Sequence, residues 1–272
     1  MGLLLEWVFG RTLTRLRGEV VALQDEVDQL RSRIDLGEQA PQAFQARRLT
    51  PEYQAAFELE RPLVSVCIAT YNRAELLTGR CLPSLLAQTY DNLEILVVGD
   101  GCTDHTEAAV AALRDPRIRF LNRPARGVYP EDPHLRWMVA GTDPINQALD
   151  LARGQFITHL DDDDAHLPQR IQALLDLIRA QRADLVWHPF DYEKQPGRWA
   201  RMEAPEFRKN QVTTSSVFYH ADLKAIPWDP QAYRYLEPGD WNRFRKFRYL
   251  GVQACRHPEA LLRHFREKSN TP

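Results

Sequence analysis

The sequence predicts an α/β fold, a mostly parallel sheet flanked by helices, with a long coiled-coil helix in front of it. Three observations carry this. Apolar residues repeat at alternating spacings of three and four from Phe9 to Ile34. From Pro62 onward, short β-branched apolar runs alternate with helix-patterned segments, as repeated strand–helix units do. Polar and acidic residues collect where those apolar runs end, above all Asp161-Asp162-Asp163-Asp164. The bulk agrees: 272 residues with 44% apolar and 26% charged content suit one domain of about 200 residues plus an appendage.

The N-terminal helix comes first. Leu13, Val20, Val27 and Ile34 fall at one seam position, and Phe9, Leu16, Leu23 and Leu30 at the other, which reads as a coiled coil over residues 1–36. Mostly β-branched residues at the first position with Leu at the second favour two parallel strands, so a homodimer is expected. Glu26 with Arg31, and Arg33 with Glu38, would then face each other across the pair. Gly37 and Pro41 end the helix. Residues 37–61 are polar and mixed and read as a linker, in which Thr50-Pro51 opens a short helix.

The domain proper takes residues 62–272. Strands are expected at 63–69, 93–98, 118–121, 155–160 and 184–188, and helices at 74–87, 103–113, 144–153 and 168–181. Residues 122–142, rich in Pro and Gly, read as a loop. Past residue 190 the pattern weakens, with a strand at 212–219 and a helix at 240–249.

The candidate chemistry sits at strand ends, where open α/β sheets bind ligands. Ala69-Thr70-Tyr71-Asn72-Arg73 offers an aromatic face for a nucleotide base and a hydroxyl beside it; the plainer reading is Tyr71 packing on the next helix. Asp100, in a Gly-rich turn, offers an acceptor to a base N–H or simply makes an Asx turn. The aspartate run repels itself, and its hard oxygen ligands suit Mg²⁺ or Mn²⁺; the alternative is a solvated turn with one Asp capping the next helix. Asp240, after Pro238-Gly239, is a proton acceptor or an N-cap. The four cysteines, Cys67, Cys81, Cys102 and Cys255, have no metal spacing, which suits a reducing, cytoplasmic compartment. A net charge of −2 gives no electrostatic case for nucleic acid.

The stretches VSVCIATYNRAELL, QTYDNLEILVVGDGCTDHT, GQFITHLDDDDAHLP and YLEPGDWNRF resemble, in order and at suitable spacing, successive signatures of the inverting family 2 glycosyltransferases of the GT-A fold. The resemblance covers roughly residues 62–265. It implies a nucleotide-sugar donor, with Ala69, Thr70, Tyr71 and Arg73 around the base. Asp100 then reads that base, commonly uracil, so a UDP-sugar is expected; Gly99 stands where the family often has a second acid. The family's DXD motif maps onto Asp161, Asp162 and Asp163. Asp163 becomes the ligand of Mn²⁺ or Mg²⁺, Asp161 or Asp162 holds the ribose or a metal-bound water, and Asp164 caps the following helix. Asp240 matches the general base that takes the acceptor hydroxyl's proton. Gly239 replaces the first acid of the usual pair, which leaves Glu237 as a second candidate. Arg263 or His264 folds over the diphosphate, or belongs to a solvated basic tail.

The expected activity is metal-dependent, inverting sugar transfer to a saccharide or lipid-linked acceptor in bacterial surface polysaccharide or glycolipid assembly. One rival is a sugar-1-phosphate nucleotidyltransferase, but residues 69–73 hold no glycine for a phosphate loop. Another is a non-catalytic coiled-coil scaffold, which the intact acids at 100, 163 and 240 disfavour. Leu3, Leu4, Leu5, Trp7, Val8 and Phe9, beside Arg11, Arg15 and Arg17, suggest peripheral contact with an anionic membrane.

Overall fold

The computed structural model of the chain describes residues 2–266, with side chains from Thr12 onward. It opens with α1 (Gly2–Leu36), followed by α2 (Ala40–Arg48) and α3 (Pro51–Glu58). The central strand β1 (Val64–Thr70) then leads into a helical stretch made of α4 (Ala74–Leu76), a π turn (Leu77–Cys81) and α5 (Leu82–Leu86). Two further units follow, β2 (Leu93–Gly99) with α6 (Thr106–Ala112), and β3 (Ile118–Asn122) with α7 (Pro133–Val139) and α8 (Thr142–Leu151). Next come β4 (Phe156–His159), β5 (Ala165–His166), α9 (Arg170–Gln181) and β6 (Leu185–Trp187). The last part holds β7 (Phe190–Gln195), β8 (Arg198–Met202), β9 (Val217–His220), α10 (Gly239–Leu250), β10 (Ala254–Arg256) and β11 (Leu262–His264).

The main sheet runs β10-β6-β9-β4-β1-β2-β3. β1 pairs in parallel with both β2 and β4, and β2 with β3. Helices cover both faces of these strands, so β2 is buried along its whole length; apart from Glu94, which Ser65 and Arg153 hold, its sequence is apolar rather than alternating. β9 is antiparallel to both neighbours, β4 and β6. A second sheet, β5-β11-β7-β8, brings the C-terminal strand beside the aspartate run.

Three segments differ from expectation. Residues 37–61 are not a linker but α2 and α3, docked on the domain. Thr50 accepts from Tyr53 N and caps α3, while Tyr53, fully buried, stacks on His220 at 3.7 Å and donates to Asp184 Oδ1 at 2.6 Å. Only Phe44, Tyr53 and Phe57 reach the core from these two helices as large side chains, too few to show a period in sequence. Within the expected 122–142 loop, Pro133 at the first turn and the Asp132 cap on Leu135 N start α7. The expected 212–219 strand begins only at Val217, because Thr213 and Ser216 cap each other around a short 3₁₀ turn, Thr214–Ser216.

α1 presents two opposed faces. The seam residues are open: Val20 is 53% exposed, Leu23 60% and Ile34 81%. The opposite face, Asp25, Asp28, Ser32 and Asp35, docks on α10 and its surroundings through hydrogen bonds to Arg208, Arg248, Trp241 and Arg245. Phe9 and the apolar residues before it precede the described side chains. Among the described residues, no helix is long and apolar enough to cross a membrane.

Candidate active site

The acidic turn is built by a tight reversal after β4, closed by Asp164 N donating to Asp161 O at 3.1 Å. Its carboxylates then point to different elements. Asp162 accepts from Thr70 Oγ1 at 2.6 Å and from Arg73 at 2.9 Å. Arg73 also reaches Asp163 Oδ2 at 3.0 Å, and Arg80 donates to the Asp163 carbonyl at 2.7 Å. Thr70 and Arg73 from the first strand end therefore meet the acids of the fourth. Ala69 sits just before them in β1. Asp164 does not cap α9, whose N-cap is Gln169; it accepts from His264 Nδ1 at 2.8 Å and from Phe265 N at 3.0 Å.

Burial and like charge work together here. Burial, then the charges of Asp164 and Asp163, push the Asp161 carboxyl well above the usual carboxylate range. Burial lifts Asp162 to about 6 even though Arg73 opposes it. Burial disfavours a charged His264, but the Asp164 carboxylate beside it prevails and raises its pKa. Ligand atoms of Asp161, Asp164 and His264 lie within 4.8 Å of one another. Two carboxylates and an imidazole at that spacing fit a hard divalent cation, which would relieve the repulsion. His166 stays apart, buried against Ser215 O at 3.3 Å.

The second strand end is closed by the start of the 122–142 loop. Asp100 accepts from Arg123 at 2.6 Å, Gly127 N at 2.9 Å and Tyr129 Oη at 2.6 Å. The Arg126 guanidinium lies 3.9 Å from the centre of the Tyr71 ring, the ring expected to meet a base. Gly101 makes this packing possible: its φ is +68°, and a Cβ there would lie 2.4 Å from Arg126 N. Gly99 likewise has no room for a side chain, since a Cβ would lie 2.6 Å from Asn122 Oδ1. Arg119 is exposed.

Asp240 is partly buried in the first turn of α10, with Pro238 rather than Asp240 as N-cap. Its Oδ1 accepts from Trp241 N at 2.6 Å. Burial lifts its pKa to about 6 against the pull of Trp241 N, Lys209 and Thr214 N. Thr214 joins it to the acidic turn, because the neighbouring Ser215 Oγ accepts from Asp161 N at 3.0 Å. Glu237 lies elsewhere in purpose: buried, it is held by Arg31, by Arg245 at 2.9 Å and by Asn242 at 3.0 Å.

A sequence profile described as Glycosyl transferase family 2 matches residues 65–129 and 142–237, more than half of the chain. The chain belongs to glycosyl transferase family 2. Within that family, WcaA of Escherichia coli (strain K12), named for colanic acid biosynthesis, is 34% identical over 134 residues, 48% of this chain and 42% of WcaA. ExoO of Rhizobium meliloti (strain 1021), named for succinoglycan biosynthesis, is 32% identical over 206 residues, 74% of this chain and 52% of ExoO. The chain thus spans about half the length of these curated relatives. The fold matches the crystal structure of S. aureus TarS 1–349 with UDP-GlcNAc at a TM-score of 0.57 and 19% identity, over 75% of this chain and 59% of that one. It also matches a mannosyltransferase of Pyrobaculum calidifontis solved with GDP-Man and Mn²⁺, at a TM-score of 0.53 and 17% identity, over 90% and 69% of the two chains.

Seen as a family 2 domain, the chain brings Thr70, Arg73, Asp161, Asp162 and Asp163 together, with Asp240 one turn away and Asp100 and Tyr71 under their own loop. Sequence reasoning missed Arg123, Arg126 and Tyr129, which sit in a stretch without periodicity. It left His264 open between a diphosphate contact and a free tail; the packing of β11 against β5 puts it on Asp164 instead.

Proposed function

We propose that the chain is a metal-dependent, inverting glycosyltransferase that moves a sugar from a nucleoside-diphosphate donor to an acceptor hydroxyl. The observation that carries this reading is the buried acidic turn, joined to Thr70 and Arg73 on one side and, through the Thr214–Ser216 turn, to Asp240 on the other. Asp161, Asp164 and His264, with Asp163 beside them, would hold Mn²⁺ or Mg²⁺. Bound there, the ion supplies positive charge against the charge that builds on the departing diphosphate. Arg73 adds a fixed cation at the same place, and Asp162 takes the ribose.

The base enters at Tyr71 and Asp100, where Arg126 and Tyr129 give way to it. UDP is favoured as the nucleotide carrier by the TarS structure's UDP-GlcNAc, while the GDP-Man of the mannosyltransferase marks the alternative. Asp240 takes the proton of the attacking hydroxyl. Glu237, already satisfied by two arginines, is the weaker candidate. The names of WcaA and ExoO support a saccharide or lipid-linked acceptor in surface polysaccharide assembly. A parallel homodimer through α1 and peripheral membrane contact through residues 1–9 complete the proposal.

Two variants test it. Asp161→Ala should abolish Mn²⁺-dependent binding of UDP in calorimetry, and unchanged affinity would sink the donor site. Asp240→Asn should keep donor binding while transfer falls about 10²–10⁴-fold. Near wild-type turnover in Asp240→Asn, with loss in Glu237→Gln, would move the role to Glu237.

A further inference from the structure

The segment that presents Asp240 is fastened from both sides by α1. On one side, Arg31 pairs with Glu237, whose side chain is 2% exposed. On the other, Asp28 Oδ2 accepts from Trp241 Nε1 at 3.0 Å. Asp240 lies between these anchors and is bonded to Trp241 N. The turn has little slack, since a Cβ on Gly239 would lie 3.1 Å from Met138 O. Arg245 holds the other Glu237 oxygen and also bonds Ser32 Oγ at 3.0 Å and Asp35 Oδ2 at 2.8 Å. A helix that reads in sequence as an assembly device thus forms one wall of the turn at the transfer centre.

We infer that Arg31 is a positioning residue of the transfer reaction, which acts by fixing the Glu237–Trp241 turn and so the aim of Asp240. The inference rests on Asp240 as the base. Arg31 suits the role because it is not needed for burial. Its side chain is 34% exposed, and without it Glu237 still has Arg245 and Asn242. Loss of Arg31 therefore loosens the turn without stranding a buried charge. A small misplacement of a reacting group is enough to slow chemistry by up to about 10²-fold.

The test uses the full chain with three variants: Arg31→Met, Arg31→Lys and the double variant Arg31→Met/Asp240→Asn. In Arg31→Met, kcat for transfer should fall about 10-fold with the donor KM within about 2-fold of wild type, and Arg31→Lys should recover most of the loss. The double variant should be no slower than Asp240→Asn alone, because both changes act on the same proton transfer. Wild-type kcat in Arg31→Met, a loss carried by the donor KM, or a loss that multiplies fully onto Asp240→Asn would each overturn the inference. Wild-type kcat in Asp240→Asn instead overturns the base assignment itself, so the two failures are distinct.

Discussion

Asp240 shows how a single residue's surroundings set its chemistry. A carboxylate in water is half-protonated near pH 4 and is a weak base. Burial raises Asp240 to about 6, which strengthens it as a proton acceptor while leaving it ionised at neutral pH. As the proposed base Asp240 works only when deprotonated, so transfer should fall as pH drops through about 6, and Asp240→Asn should lack that acid limb. Measuring kcat from pH 5 to 8 at saturating donor checks this; an acid limb that persists in Asp240→Asn would assign it elsewhere. The acidic run was plain in the sequence, and it was the other signatures around it, not the run alone, that set it apart from a solvated turn. The partners of its acids were not plain. Nothing in the spacing of Arg73, Arg123, Tyr129 or His264 tells which carboxylate each will meet, because that depends on how loops from four strand ends fold over one edge.

At the scale of elements, the strand–helix alternation from Pro62 to Trp187 was legible because parallel strands buried on both faces read as mostly apolar runs without alternation. The antiparallel direction of β9 was not, since periodicity is blind to strand direction. α1 was half legible. Its seam stood out, whereas Asp25, Asp28, Ser32 and Asp35 look like any solvated outer face until α10 is packed against them. The structure also alters the expected flanking pairs: Arg31 is engaged with Glu237 and Arg33 with Glu38 of the same chain. In the proposed dimer the apolar seam would then carry the pairing. Leu23→Lys with Leu30→Lys should convert a wild-type dimer to monomer in light scattering without lowering the melting temperature of the domain. A monomeric wild type, or a dimer indifferent to both lysines, would end the coiled-coil proposal.

For the molecule as a whole, α2 and α3 join the N-terminal helix to the sheet as part of one core. Tyr53 is the pin: its ring stacks on His220 and its hydroxyl meets Asp184, which also receives Arg48 at 2.7 Å and Gln253 N at 2.7 Å. Tyr53→Phe removes one donor from a buried carboxylate and should cost about 1–3 kcal/mol, read from the urea midpoint. A midpoint within error of wild type would show that Arg48 and Gln253 suffice. The two faces of α1 carry one more consequence. The side that meets the domain is mostly charge against charge, and the side left for a second copy is mostly hydrocarbon. A kosmotropic salt such as sulfate screens the more exposed pairs of the first, Arg31 and Arg248 among them, and strengthens burial of the second. Sulfate should therefore act in opposite senses on the two faces, tightening the proposed assembly while slackening the grip on the turn that carries Asp240.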